Sequence, residues 1–360
     1  MQQRTTTPSL PMTVGLDLGD RQSYFALLGD EGVVEEGKVA TERGKIRELF
    51  ERLRELGATR VVCEVGTHSP WVSRELAKVI SEVVVADPYA VKLIWAKGRK
   101  SDKRDAVVLA RLGRSDPELL SPIEHRGEEA QRDLMLLRTR SKLVEMRTVL
   151  VNHVRGASKS LGTRLPSCSA RSFAKKVREH LPEELRGVLE VALEILEGVN
   201  AKIGELDRRV EEMSRERYPE TMLLRQVAGV GALTALAFVL TLERPGRIRG
   251  TRNVGAYLGL CPGRSQSGKS DPELHITKTG DNALRSLLVN CAHYILGPFG
   301  PDSDLRRHGE KIAMRGGKAA KKRAVIAVAR KLSVLLLALW RSAEVYDPLR
   351  TTRELEATVV

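Results

Sequence analysis

Residues 12–20, MTVGLDLGD, constrain this chain more than any other stretch. Val14, Leu16 and Leu18 alternate with Gly15, Asp17 and Gly19, a period of two that predicts a β-strand. Asp17 then faces away from the three aliphatics. Its neighbours on that face are glycines, which let a metal ion or a phosphate come close. An acid within a short apolar strand is costly to bury unless it pairs or binds a cation. The plain alternative is a strand-end Asp satisfied by a turn.

The next segments repeat the pattern. Residues 23–28 and 33–39 read as second and third strands, with Gly29-Asp30-Glu31-Gly32 as the turn between them. Residues 42–56 read as an amphipathic helix stopped by Gly57, and 59–65 as a strand carrying Glu64 near its end. A helix over 70–80 starts with proline, and 82–86 is a further short strand. In 97–110, KGRKSDKRDAVVLA, Ser101 and Asp102 are helix-cap residues, and Asp102 and Asp105 share one helical face at i and i+3. Lys97, Arg99, Lys100, Lys103 and Arg104 around them could follow a phosphate backbone. Acids in a first helical turn are ordinary dipole partners. That accounts for one of the two aspartates, and not for an acid in each of two strands as well.

Asp17, Glu64, Asp102 and Asp105 converge only if the fold brings their elements together. The order strand-Asp, two strands, helix, strand-Glu, helix, strand, helix-Asp/Asp is that of the ribonuclease H-like fold, in which the first and fourth strands are neighbours. A site of this kind holds two Mg²⁺ about 4 Å apart for phosphoryl transfer. Hard oxygen ligands suit Mg²⁺ or Mn²⁺ and not zinc.

Charge agrees with such chemistry. The 360 residues carry 60 Lys+Arg against 46 Asp+Glu, a formal +14 that favours nucleic acid as partner. Aromatics are only 4%, so reading of single strands by base stacking is not advertised. The four cysteines form no CxxC or Cys/His cluster, which argues against a structural zinc, and nothing suggests a disulfide framework. The first residues hold no apolar signal core, and the apolar run 332–340 is too short to span a bilayer. The expectation is a soluble, cytoplasmic, nucleoid-associated protein with no membrane contact.

An early strand Asp, a Glu closing an apolar strand and the box Lys100-Ser101-Asp102-Lys103-Arg104-Asp105-Ala106 resemble the DEDD transposases of the insertion sequence 110 family, which carry a RuvC-like domain. The resemblance continues beyond residue 250. Ala256, Gly259, Leu260, Pro262, Ser267, Gly268, Ile276, Thr277, Lys278, Gly280, Leu284 and Arg285 fit the pattern of that family's C-terminal transposase domain. Asp281 interrupts the Gly-Asn pair the family usually has, and the PELH before Ile276 lacks a glycine often found there. The resemblance implies that Ser267, with Ser265 as a second choice, is a nucleophile that becomes linked to DNA. It implies Mg²⁺ or Mn²⁺ on the four acids, a structured non-coding guide RNA, and a composite site across the protomers of a dimer or tetramer. Phosphate contacts are expected from Lys100, Arg104, Arg264, Lys269, Lys278, Arg285, Lys321, Lys322 and Arg323. Without the resemblance, Ser-Gly in such a loop is a turn.

Between these regions the chain reads as helical spacer. Leu185, Leu189, Ala192, Leu196, Val199, Ile203, Leu206, Val210 and Met213 form an a/d seam over roughly four heptads. An intramolecular hairpin and a subunit-pairing coiled coil explain it equally. Gly229-Val230-Gly231, between two apolar helical patterns, resembles a helix-hairpin-helix, which offers backbone N–H groups to a phosphate; a tight turn in a core is the alternative. The basic run 315–323 leads into a last helix over 324–340, and the tail 342–360 reads as partly disordered.

The expected architecture is therefore α/β plus α. A RuvC-like catalytic domain spans 10–125, a coiled-coil spacer 126–218, and a mainly helical domain with the serine 219–345. Three rivals stand beside a transposase: a RuvC-like nuclease or junction resolvase without a serine step, a sugar-kinase-like ATPase, and a non-catalytic scaffold. The kinase reading needs a second DxGxG-type phosphate loop, and none follows residue 120.

Overall fold

The computed structural model describes residues 10–94, 101–267, 270, 272 and 274–353. The chain divides into two units, one ending at Glu128 and the other beginning at Glu129.

In the first unit the period-two stretches become β1 (Thr13–Asp17), β2 (Gln22–Gly29) and β3 (Gly32–Ala40), followed by helix α1 (Arg43–Glu55). Then come β4 (Arg60–Glu64), α2 (Ser69–Leu76), β5 (Glu82–Ala86), α3 (Pro88–Ile94) and α4 (Asp102–Ser115). The strands form one sheet in the order β3-β2-β1-β4-β5. β1, β4 and β5 are parallel, β2 is antiparallel to β1, and β3 is antiparallel to β2, completing a meander.

One face of the sheet carries Val14, Leu16, Val61, Cys63 and Val85. They pack on Ile46, Phe50 and Leu53 of α1 and on Val72 and Leu76 of α2. Burial there pushes the Cys63 thiol up to about 12. The other face receives α4. Gly15 makes this possible, since a Cβ on it would stand 1.9 Å from the Ala106 carbonyl oxygen. Farther along α4, Gly113 lies against Val62, and Leu109 joins Val62, Val84 and Ala86 in a small cluster. Arg60 Nη1 donates to the Gly113 carbonyl (2.7 Å) and Arg114 Nη1 to that of Gly29 (2.7 Å). The end of α4 thus lies over the beginnings of β1 and β4, and its start lies over their ends.

The second unit is helical: α5 (Glu128–Ser160), α6 (Phe173–Val177), α7 (Glu183–Glu216), α8 (Thr221–Leu224), α9 (Ala232–Leu242), α10 (Val254–Tyr257), α11 (Asn282–Leu296), α12 (Asp304–Ala313) and α13 (Gly317–Ser342). α9 is apolar on every side and buried along nearly its whole length, as a central core helix must be. Around it pack residues of α7, α11 and α13, with Phe238 edge-on to Trp340.

The a/d seam of α7 is covered from within the chain. Leu189, Leu193 and Leu196 meet Val154 of α5 and Phe173 and Val177 of α6, and Val210 shares a cluster with Leu134 and Leu137 near the start of α5. α5 and α7 therefore run antiparallel as a hairpin, tied by Arg140 Nε to Asp207 (2.5 Å). Where α7 ends, Tyr218 donates its hydroxyl to Asp133 (2.6 Å) and Arg217 pairs with the same carboxylate (2.8 Å). Burial and that carboxylate hold the Tyr218 phenol above its usual range.

One expectation changes. The basic run does not precede the last helix but forms its first turns, because α13 starts at Gly317 and Lys, Arg and Ala are strong helix formers. The tail through Arg353 is docked: Asp304 Oδ2 and Oδ1 accept from the Thr351 N–H (2.7 Å) and the Thr352 hydroxyl (2.6 Å).

Candidate functional site

β1 and β4 pair in register from Thr13↔Arg60 to Leu16↔Cys63, so Asp17 and Glu64 come next, closing adjacent strands about 4.8 Å apart. Both lie on the α4 face, Asp17 two residues beyond Gly15 and Glu64 two beyond Val62, and both are half-buried. The start of α4 supplies the other two acids. Ser101 caps it by accepting from the Arg104 N–H (3.4 Å). Asp102 is exposed, and half-buried Asp105 precedes the Ala106 that covers Gly15. All four sequence-derived acids therefore belong to one edge of the first unit. Among the described residues, no three Asp, Glu, His or Cys side chains gather closely enough to hold an ion by themselves. Their oxygens are nonetheless the donor type that Mg²⁺ or Mn²⁺ takes.

The same edge holds groups that the sequence pattern does not mark. Register places Lys38 and Tyr24 in one row with Asp17, and the Lys38 ammonium stands 4.8 Å above the Tyr24 ring. Interaction with the Tyr24 side chain and, to a lesser degree, nearby Asp102 hold the Lys38 pKa above its ordinary value. Lys103 pairs with Glu36 (2.5 Å). In the loop after Glu64, His68 Nδ1 accepts from Trp71 Nε1 (3.0 Å), while its Nε2 faces Asp20 at 3.6 Å. The Arg43 guanidinium lies 5.7 Å from the Trp71 ring centre. Arg43 in turn pairs with Glu75, a carboxylate buried among Arg43, Arg47 and Lys78. Hydrogen bonds from Arg47 and Lys78 pull the Glu75 carboxyl down to about 2 against the opposing effect of burial. A His and a Trp three residues apart beside a helix-starting proline were the available signal.

Ser267 lies in the second unit, in the segment between Gly259 and Gly280. It donates its N–H to the Ser270 carbonyl and accepts the reciprocal bond through its own carbonyl, both 3.0 Å. Lower down, the Gly263 N–H donates to His275 O and the Thr277 N–H to Cys261 O, both 2.9 Å. The base is closed by backbone contact. A Cβ on Gly259 would lie 2.4 Å from Thr279 backbone atoms, and one on Gly280 2.1 Å from the Tyr257 carbonyl oxygen. Both glycines have positive φ, so side chains there would also be strained. Ser267 and Ser265 are exposed.

The cations expected at phosphates differ in their surroundings. Arg285 is not a surface cation. It is 6% exposed, and its Nη1 donates to the carbonyls of Leu258 (3.0 Å) and Thr279 (2.7 Å). It latches the base of the serine loop, because buried carbonyls at a tight crossing need a donor. Lys278, Lys322 and Arg323 line one cleft of roughly 1190 Å³ along α13, together with apolar Ile326 and Val334. Arg264 and Arg104 are exposed on the serine loop and on α4, and Lys321 is exposed on α13. Lys100, Lys269 and Gly268 lie outside the described residues. In the Gly229-Val230-Gly231 turn, Gly229 has positive φ and packs against Tyr294, and α9 starts just after Gly231. The preceding α8 spans only Thr221–Leu224.

Both units have counterparts among known proteins. Residues 14–160 match a family model described as a transposase, that of the DEDD transposases of IS110 type. Residues 221–304 match a second, described as transposase IS116/IS110/IS902 family. The chain is similar to the transposase for insertion sequence element IS1111A of Coxiella burnetii, 26% identical over 328 residues, covering 88% of this chain and 87% of that one. It is also similar to the transposase for insertion sequence element IS1328 of Yersinia enterocolitica, 27% identical over 295 residues, covering 78% and 82% respectively.

Proposed function

Because this chain belongs to the IS110 family of transposases, we propose that it cuts and rejoins DNA through a metal-assisted serine mechanism on a RuvC-like, ribonuclease H-type domain. The observation that carries this reading is the placement of Asp17 and Glu64 at the ends of parallel neighbours β1 and β4, with Asp102 and Asp105 opening the helix laid over the same face. Asp17, Glu64, Asp102 and Asp105 would hold Mg²⁺ or Mn²⁺, which supplies charge neutralisation at the phosphate and a more acidic hydroxyl. Ser267 Oγ would displace a sugar oxygen at phosphorus and leave the DNA end esterified to the serine. A strand hydroxyl would then reverse the step on a new end. Exposure of Ser267 and the rigid base of its loop support that role.

Lys278, Lys321, Lys322, Arg323, Arg264 and Arg104 would neutralise DNA or RNA phosphates. A structured guide RNA and a dimer or tetramer belong to the same proposal, and the formal charge of +14 is the feature that suits them. The metal-dependent part is tested by strand exchange on a plasmid carrying the element ends. Asp102→Asn should abolish exchange without changing the melting temperature. Wild-type rates in that variant would remove Asp102 from the site. Sequencing of the nucleic acid that copurifies should return one defined RNA; a random RNA population would contradict guidance.

A further inference from the structure

We propose that His68 is a positioning residue for the acid pair, bridging the loop that follows Asp17 to the loop that follows Glu64. The proposal rests on the metal reading above. Asp17 and Glu64 are the last residues of their strands, so the segments 18–21 and 65–68 lead directly off the two carboxylates. Each loop is pinned to its own side. The Thr41 hydroxyl donates to Gly19 O (2.9 Å), and the Gly66 N–H donates to Ser69 Oγ (3.0 Å). Between the loops, His68 Nε2 faces Asp20 Oδ1 at 3.6 Å.

The ring is set for this contact. An indole N–H only donates, so the bond from Trp71 Nε1 requires a lone pair on His68 Nδ1. The proton of a neutral ring then sits on Nε2, aimed at Asp20. Trp71 itself is held in place, being packed on the sheet core with Arg43 held over it by buried Glu75. Local structure does not explain the histidine: it occupies the N-cap of α2, yet its side chain makes no capping hydrogen bond. At 3.6 Å the pair is within ion-pair reach but a few tenths of an ångström too long for a hydrogen bond. Asp20 is 93% exposed and has room to close that gap. The four acids also stand short of a closed ion cage. Drawing the two loops together would close the His68–Asp20 gap, and contacts that tighten only in the loaded site are common.

The test is Mn²⁺ binding by the full-length, nucleic-acid-free protein, read by titration calorimetry, with melting temperature as the folding control. His68→Phe keeps ring bulk and loses both nitrogens, and should weaken Mn²⁺ roughly tenfold, as loss of an outer partner does. His68→Gln, whose carboxamide can accept from Trp71 and donate to Asp20, should recover most of the loss. Trp71→Phe and Asp20→Ala should each weaken Mn²⁺ and be non-additive with His68→Phe; they carry the test if His68→Phe fails to fold. Asp17→Asn must lose Mn²⁺ binding. If it does and His68→Phe binds as wild type, or His68→Gln is no better than His68→Phe, the positioning role is overturned alone. If Asp17→Asn binds Mn²⁺ normally, the metal reading falls and takes this proposal with it.

Discussion

Gly15 and Ala106 touch through backbone: a Cβ on Gly15 would stand 1.9 Å from the Ala106 carbonyl oxygen and 2.5 Å from the Ala110 nitrogen. The strand bearing Asp17 and the helix bearing Asp102 and Asp105 can lie this close only because residue 15 has no side chain. Gly15→Ala should therefore destabilise the first unit by about 1–3 kcal/mol in urea unfolding, the usual cost of overpacking a close contact. It should also remove metal-dependent cleavage, by moving the helix start. Gly204→Ala is the control: nothing lies within 4 Å of its Cβ position inside α7, so it should raise stability by up to about 1 kcal/mol.

Arg285 predicts the behaviour of the serine loop. Arg285→Met leaves the Leu258 and Thr279 carbonyls without their donor, at a cost of about 1–3 kcal/mol. Limited proteolysis should then cut between residues 259 and 280 well before the rest of the second unit. Unchanged digestion would show that the two glycine crossings hold the loop alone.

Glu75 gives the first unit a pH dependence of known sign. Its carboxyl is held at about 2, below the ordinary 4.5, by Arg47 and Lys78. A lowered carboxyl pKa stabilises the fold fully above the unfolded value and loses that contribution as pH falls. Thermal stability of the first unit should thus decline between pH 4.5 and about 2. Glu75→Gln should be less stable at neutral pH and flatter across that window.

Lys321, Lys322 and Arg323 lie exposed on the first turns of α13. Replacing all three with Ala should weaken duplex DNA binding, measured by fluorescence anisotropy. It should also reduce the slope of log K against log salt by roughly 0.9 for each phosphate no longer neutralised. An unchanged slope would move the nucleic-acid surface elsewhere.

The strands are legible in the sequence because period-two alternation is a local signal. β5 (Glu82–Ala86) matches its expected span, and β1, β2, β3 and β4 shift by only a residue or two at some ends. The seam of α7 is equally legible, since Leu189, Leu196, Val199, Ile203 and Val210 are buried as its spacing requires. What covers a seam is a tertiary matter, and here α5 and α6 do so. α13 starts at Gly317, ahead of the apolar pattern that opens at Ala324, because a dense run of Lys and Arg reads as charge before it reads as helix. Arg285 resembles a phosphate ligand in sequence because its burial depends on a loop crossing that no local pattern records. Lys38 joins the acid edge only through register; the His68–Trp71 spacing beside Pro70 is a local signal, but it does not say which edge the ring reaches.

The most direct measurement of the central claim is a covalent trap. End-labelled element DNA is incubated with the full-length protein and Mg²⁺, then denatured and run on a gel. Labelled protein is expected from wild type and from Ser265→Ala, with none from Ser267→Ala or from Asp17→Asn. Label on Ser267→Ala, or metal-dependent cutting by wild type with no protein-bound DNA, would contradict a serine mechanism switched on by the acid edge.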